Sequence, residues 1–253
     1  MRIIYKALIS IAATAGIIIS ISGCDRETGP SAMDGPLYKI VKTGNAPLID
    51  GIINDSCWKT AESISLTLIE SGKKSAYQTT VRAVYDSEYL YIGFECQDID
   101  AASTITGKDS PVSEQEHISV YIDAGCDSKT YAVIDIAPTG ALYDSFILSY
   151  RDGESKKILP GWDCEGILSA VSVNGGGAAP GTKDRFWTVE LALPFEEFVT
   201  AEDIPPLPDS NWRINFYRTE LTNVRDISAF STTGSENTHV PSRFAWLIFS
   251  DIE

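Results

Sequence analysis

The stretch VRAVYDSEYLYIGFECQD, residues 81–98, decides the fold. Val81, Ala83 and Tyr85 alternate along the first half, Asp86-Ser87-Glu88 supplies turn chemistry, and Leu90, Ile92 and Phe94 alternate on the way back. A two-residue apolar period rich in β-branched and aromatic types puts one strand face on a core. Two such runs joined by Asp and Ser form a hairpin.

The same pattern recurs outward in both directions. Strands are predicted at 117–122, 130–137, 142–148, 166–173, 186–193, 212–219 and 244–249, and only Ser56–Ala61 and Phe195–Thr200 carry a brief helical pattern. NGGGAAPGTKD, 174–184, is a loop between two strands. The chain shows no internal repeat and no composition break that would mark a second domain. Many short strands with regular turns predict an all-β fold with very little helix, an antiparallel β-sandwich of jelly-roll or immunoglobulin-like type.

The N-terminus reads as an address. Arg2 and Lys6 precede the apolar run ALISIAATAGIIISIS, which ends at Gly23-Cys24. A basic start, an apolar middle and small residues at the cut make a leader, residues 1–23; the run is too short for a membrane span. Its end resembles a bacterial lipobox, which implies cleavage before Cys24 and lipidation of that thiol, so that the protein is anchored to a membrane rather than spanning it. An exported lipoprotein of the bacterial cell envelope is the expectation, facing either the periplasm or the outside, and a secreted protein with an incidental cysteine is the alternative. Residues 24–37 read as a flexible tether and 38–253 as the folded domain.

Thirty-five acidic against 20 basic residues give the chain a net charge of −15, and loss of Arg2 and Lys6 with an acid-free leader leaves −17. Such a surface repels phosphate backbones and excludes nucleic acid as a partner. Cys57, Cys96, Cys126 and Cys164 remain after Cys24. An even number in an exported chain favours disulfides, with three possible pairings, of which Cys57–Cys96 with Cys126–Cys164 is the expected one. No CxxC spacing points to zinc.

Six segments in order resemble carbohydrate-binding module family 9: PLIDGIINDSCW (47–58), VRAVYDSEYLYIGFECQD (81–98), EQEHISVYID (114–123), FWTVELALPFEEF (186–198), WRINFYRTE (212–220) and HVPSRFAWLIF (239–249). The likeness runs from about Lys39 to Ser250 and implies an antiparallel sandwich, non-catalytic, with its ligand site among loops at one edge. Within these motifs Asp50-Gly51 marks a turn, and Asp55 or Ser56 caps the short helix. Trp58, Trp187 and Trp212 read as core residues by their strand or helix neighbours. Arg218 returns to the core face by alternation and needs Glu220 as a partner or a bulge that turns it outward.

The resemblance also exposes a departure. Well-known members hold a sugar between two tryptophans. The position before the family's EQD motif is Ser113 here, ahead of Glu114-Gln115-Glu116, and the position before its DPSKFG-like motif is occupied by Thr238-His239. The scaffold motifs are kept and the tryptophan sandwich is lost. An altered polar site is expected to bind a polysaccharide or oligosaccharide through Glu116, His117, Tyr217, Arg218, Glu220 and His239, with Trp162 or Tyr150 as replacement stacking surface. Asp123, Asp127 and Asp144, or Asp98 and Asp100, are candidate calcium ligands, calcium being the only cofactor the acids suggest. A haem-binding relative of this sandwich uses axial Met or Lys, and Met33, the one methionine left after the leader, lies in the tether. Glu114 and Glu116 lie side by side on one strand and do not oppose each other as glycosidase carboxylates must. Glycan binding is therefore the expected function, a structural or protein-interaction role its rival, and hydrolysis a third.

Overall fold

The computed structural model of the protein describes residues 33–251 apart from 152–154 and 160, and leaves undescribed the side chains of 149–151, 155 and 156. The leader, Cys24 with its expected lipid, most of the tether and the Tyr150 side chain therefore lie outside the described residues.

From Asp34 onward the chain forms one unit. Its elements are β1 (Leu37–Lys42), α1 (Ser56–Thr60), β2 (Ser63–Ser65), β3 (Thr67–Leu68), β4 (Thr79–Tyr85), β5 (Tyr89–Gln97), β6 (His117–Asp123), β7 (Thr130–Ile136), β8 (Leu142–Arg151), β9 (Ser155–Leu159), β10 (Leu168–Gly175), β11 (Asp184–Pro194), β12 (Asn211–Glu220), β13 (Asp226–Ala229) and β14 (Ala245–Ser250). The deciding hairpin is β4–β5, paired Val81↔Phe94, Ala83↔Ile92 and Tyr85↔Leu90. Asp86 closes its turn, accepting the N–H groups of Glu88 at 2.7 Å and Tyr89 at 2.8 Å through Oδ1.

A continuous sheet runs β10-β11-β5-β4-β1-β14-β12-β6-β7-β8-β9 and curls over. Its two halves enclose one core, to which β4, β5 and β11 contribute Val81, Phe94 and Trp187, and β6, β7 and β12 contribute Val120, Ile134 and Trp212. The sheet is mixed, not purely antiparallel: β1 runs parallel to both β4 and β14 and joins the halves. Alternation places Tyr38 and Ile40 of β1 in the core but carries no information about strand direction, so the parallel seam is invisible in the sequence.

Each half has a second covered face. Behind β4, β5 and β11, α1 presses Cys57 and Trp58 onto Val84, Tyr91 and Ala192. Trp58 is a core plug as expected, and its indole Nε1 donates to Glu190 Oε1 at 2.8 Å. Glu190 Oε2 in turn accepts the N–H groups of Asp50 and Gly51 at 3.1 and 2.9 Å. Gly51 sits at φ +84, and a Cβ there would come within 2.8 Å of the Val171 backbone, so the position requires glycine. Asp55 stands at the N-cap of α1 without a capping bond; its carboxylate is spent on the Leu48 N–H at 3.1 Å.

The four cysteines among the described residues are free thiols, which corrects the expected disulfides. Cys96 points into the core between the halves while Cys57 lies on the outer face of the same sheet half, so the sheet itself separates the pair. Cys126 sits on the β6–β7 turn, with Sγ 3.5 Å from Asn211 O, and Cys164 is buried after β9 beside Asp144. Burial pushes all four thiols up, to about 11 for Cys57 and Cys126 and about 12 for Cys96 and Cys164, which makes them poor nucleophiles.

Candidate functional site

On β6, Ile118, Val120 and Ile122 enter the core, so His117, Ser119 and Tyr121 face the other side. On β12, Ile214, Phe216 and Arg218 point inward, and Tyr217 and Thr219 share the outer face. His117, Ser119, Tyr121 and Thr219 floor a cavity of about 400 Å³. Ser113 and Glu114 form one rim, Leu221 with Arg225–Ile227 a second, and Glu236 with Thr238 and His239 a third. Ser113 and Thr238-His239, the positions where the resemblance implies tryptophans, thus line one and the same cavity.

Beneath it lies an aromatic cluster that fixes the rim. Tyr121 stacks on Tyr131 with centroids 5.9 Å apart, and the His239 ring lies 5.2 Å from Tyr121. The Tyr131 hydroxyl is 2.7 Å from His239 Nδ1. Tyr217 donates its hydroxyl proton to the Thr238 carbonyl at 2.8 Å and accepts from Asn215 Nδ2 at 2.8 Å. The Tyr121 hydroxyl meets Thr238 Oγ1 at 3.2 Å. Burial raises the pKa of both Tyr121 and Tyr217, so both remain neutral phenols with a proton to donate. His117 gives its Nδ1 proton to the Gln115 carbonyl at 2.7 Å, which leaves Nε2 as the ring's second polar atom.

The sequence-predicted site residues divide by face. His117 and His239 line the cavity, and Tyr217 supports it from below while fully buried. Glu116, Arg218 and Glu220 do not line it. They point inward, where Arg218 Nη2 reaches Asp98 Oδ2 at 2.6 Å, Glu116 Oε1 at 2.8 Å and Glu220 Oε2 at 2.6 Å, with Nη1 on the Gln97 carbonyl at 2.7 Å. Three carboxylates share one guanidinium, and the pKa of Glu116 is pushed up to about 9, chiefly by burial, then by its hydrogen bond with Asp98 and against the pull of Arg218. Side-chain exposures of 0–2% leave this cluster no opening to solvent, which is the opposite of a glycosidase cleft. Trp162 is not a platform at this cavity: it is half-buried against the main core, its ring 5.8 Å from Phe146.

The expected calcium ligands are not gathered. Asp123 accepts the N–H groups of Asp127 and Ser128 at 3.2 and 2.8 Å, and Asp127 those of Lys129 and Thr130 at 2.7 and 2.8 Å, so both are occupied in building the β6–β7 turn. Asp144 belongs to a different cluster, with Asp109 and Asp163. Asp98 is held by Arg218, whereas Asp100 accepts the Gly181 N–H at 2.9 Å. Tyr121, Thr219, Arg225, Asp226 and Glu236 were missed. Tyr121 shares the period-two face of His117, a usable signal, but nothing local announces which loops fold over that face.

The profile of the carbohydrate family 9 binding domain-like family matches residues 49–177. The chain belongs to that family. Among solved structures, a Bacteroides uniformis protein provisionally assigned to carbohydrate binding superposes with a TM-score of 0.69 at 15% identity, over 85% of this chain and 100% of that one. A family 9 module of Caldicellulosiruptor kristjanssonii, solved with cellotriose, gives 0.59 at 15% identity over 86% and 95%. The same organism's family 9 module with glucose gives 0.58 at 13% identity over 86% and 97%. An extracellular protein of Arthroderma benhamiae is 23% identical over 184 residues, 68% of this chain and 78% of its own length. Family 9 modules are carbohydrate-binding and non-catalytic, and their sandwich is the architecture found here.

Proposed function

We propose that this chain is a non-catalytic glycan-binding domain of an exported, lipid-anchored envelope protein, and that it takes a short glycan or a chain end in the cavity rimmed by Ser113–Glu114 and Thr238–His239. The observation that carries this reading is the convergence of those two rims on one cavity floored by His117, Ser119 and Tyr121. Family 9 neighbours crystallised with cellotriose and glucose support a saccharide as the ligand class. In place of two indole rings, the rim offers hydroxyls, carboxylates, the Arg225 guanidinium and imidazoles. Recognition here rests on hydrogen bonds to sugar hydroxyls, with the apolar faces of Leu221 and His239 for C–H contact. The basic and apolar leader ending at Cys24 supports the anchor.

The test is calorimetric titration of the protein with xylan, cello- and chito-oligosaccharides and peptidoglycan fragments. Saturable heat that is lost in Glu114→Ala and His117→Ala is the expected result. A folded sample that binds none of them would overturn the reading in favour of a protein-interaction role. That second reading draws on the exposed apolar residues of the 199–207 loop, Val199, Ile204 and Leu207, at 75%, 43% and 55% exposure.

A further inference from the structure

Beside the cavity floor lies a buried acid that no hydrogen bond uses. Asp135 on β7 is the register partner of Ser119 on β6. Strand alternation puts it on the same face as Tyr131 and Val133, the face from which the floor residues His117, Ser119 and Tyr121 also rise. The Asp135 side chain therefore projects to the cavity side, next to Ser119. It is 4% exposed, and its Oδ1 is buried without a hydrogen-bond donor. Burial raises its carboxyl pKa, against the pull of His117 and Ser119. The rim above is acidic too: Glu114, Asp226 and Glu236 stand against the single guanidinium of Arg225. Three carboxylates and one guanidinium leave a formal charge of −2 before Asp135 is counted. The floor itself offers acceptors, since His117 Nδ1 spends its proton on the Gln115 carbonyl and leaves Nε2 a lone pair.

We propose that the cavity selects saccharides that carry a free amino group, with the ammonium seated over His117 and Ser119 and with Glu114, Glu236 and the buried Asp135 as its counter-charges; this rests on the glycan reading of the cavity. An ammonium has three N–H donors and no acceptor, which matches a floor of acceptors better than a sugar hydroxyl does. A buried carboxylate oxygen without a donor is costly, and a cation beside Ser119 favours its ionised form. The attraction acts inside a partly enclosed cavity, where charges interact more strongly than in water. The same carboxylates repel a uronic acid, and an N-acetylated amine brings no charge to meet them. Selection by charge thus falls at the site where the resemblance implies stacking tryptophans.

The experiment is calorimetry on the full chain with three β-1,4-linked trisaccharides that differ only at carbon 2: tri-glucosamine, tri-N-acetylglucosamine and cellotriose. It is run at about pH 7, where an amine of the α-amino type, titrating at about 7.7–8.0, holds its proton. Salt at about 0.15 M screens diffuse attraction to the acidic surface. Tri-glucosamine should bind at least tenfold tighter than cellotriose, with the N-acetylated sugar close to cellotriose. Asp135→Asn and Glu236→Gln should each cut that ratio at least threefold; Glu236 is exposed, so its variant keeps the test valid if Asp135→Asn does not fold. Glu202→Gln, exposed and outside the cavity lining, should leave the ratio unchanged. A ratio near one, an unchanged ratio in both cavity variants, or an equal fall in Glu202→Gln would each overturn the inference. Binding of all three sugars without preference removes this inference alone and leaves the glycan reading standing, whereas no heat with any sugar removes both.

Discussion

Tyr217 donates its hydroxyl proton to the Thr238 carbonyl at 2.8 Å, and so a strand fixed in the sheet holds the loop that forms one rim of the cavity. The bond is partly buried and continues to Asn215, whose Nδ2 also reaches the Ser231 carbonyl at 2.9 Å. Rim position is therefore set from beneath, by residues a ligand never touches.

Tyr217→Phe removes one hydroxyl, while the Thr238 carbonyl keeps the Val240 N–H at 3.0 Å and Asn215 Nδ2 keeps the Ser231 carbonyl at 2.9 Å. The expected cost is about 0.5–1.5 kcal/mol, the range for a typical hydrogen bond rather than for an orphaned buried group. Urea unfolding measures it. Glycan affinity should fall as well, since the rim loses its tether, whereas a stability loss with unchanged affinity would show that the loop is positioned by other contacts.

Arg218 is the cation of a buried cluster that otherwise holds Asp98, Glu116 and Glu220. Removing one partner of a buried ion cluster costs far more than the cluster is worth against an apolar replacement of the whole. Arg218→Met should destabilise by about 3–5 kcal/mol in chemical denaturation. A loss below about 1 kcal/mol, typical of surface pairs, would mean that the carboxylates are not held by its charge.

Glu116 gives that cluster a pH signature. Its folded pKa of about 9 exceeds its ordinary 4.5 because of burial and the Asp98 hydrogen bond. Between those values the folded state keeps a proton that the unfolded state has released, so this group's contribution to stability falls as pH rises through the window. Glu116→Gln holds the neutral form permanently. The wild-type melting temperature should therefore drop more steeply than that of Glu116→Gln between about pH 6 and 9, with the curves closest at the acid end. Parallel curves would remove Glu116 as the titrating group; Asp98, Glu220 and Cys96 also face it and are common to both proteins.

How much of this was legible in the sequence follows from what alternation encodes. Period two assigned β4–β5, the inward faces of β6 and β12, and the core roles of Trp187 and Trp212, because a strand's side chains have only two directions. It also flagged Arg218 as an inward arginine that needs Glu220, which is one of its three carboxylate partners. Parity also separates residues that chemistry alone groups: Glu116, Arg218 and Glu220 face inward and His117 and Tyr217 outward, because odd and even positions of one strand face opposite ways. The loops carrying Arg225 and Glu236, the parallel seam of β1 and the separation of the cysteines are long-range facts of the curled sheet. No local pattern specifies them.

Ser113 offers the most direct test of the cavity. It is exposed on the rim, so a large side chain there displaces no core residue, and stability should stay within about 0.5 kcal/mol. The resemblance implies an aromatic ring at this position, and a flat apolar face gives a sugar's C–H groups a contact that the serine hydroxyl cannot. Ser113→Trp should tighten binding of gluco-configured oligosaccharides about tenfold, equivalent to about 1.4 kcal/mol, measured by calorimetry. Asn45→Trp, exposed and remote from the cavity lining, controls for the indole itself and should change nothing. An equal gain in both variants would trace the effect to nonspecific stacking, and no gain in a folded Ser113→Trp would mean that the rim does not meet a sugar face.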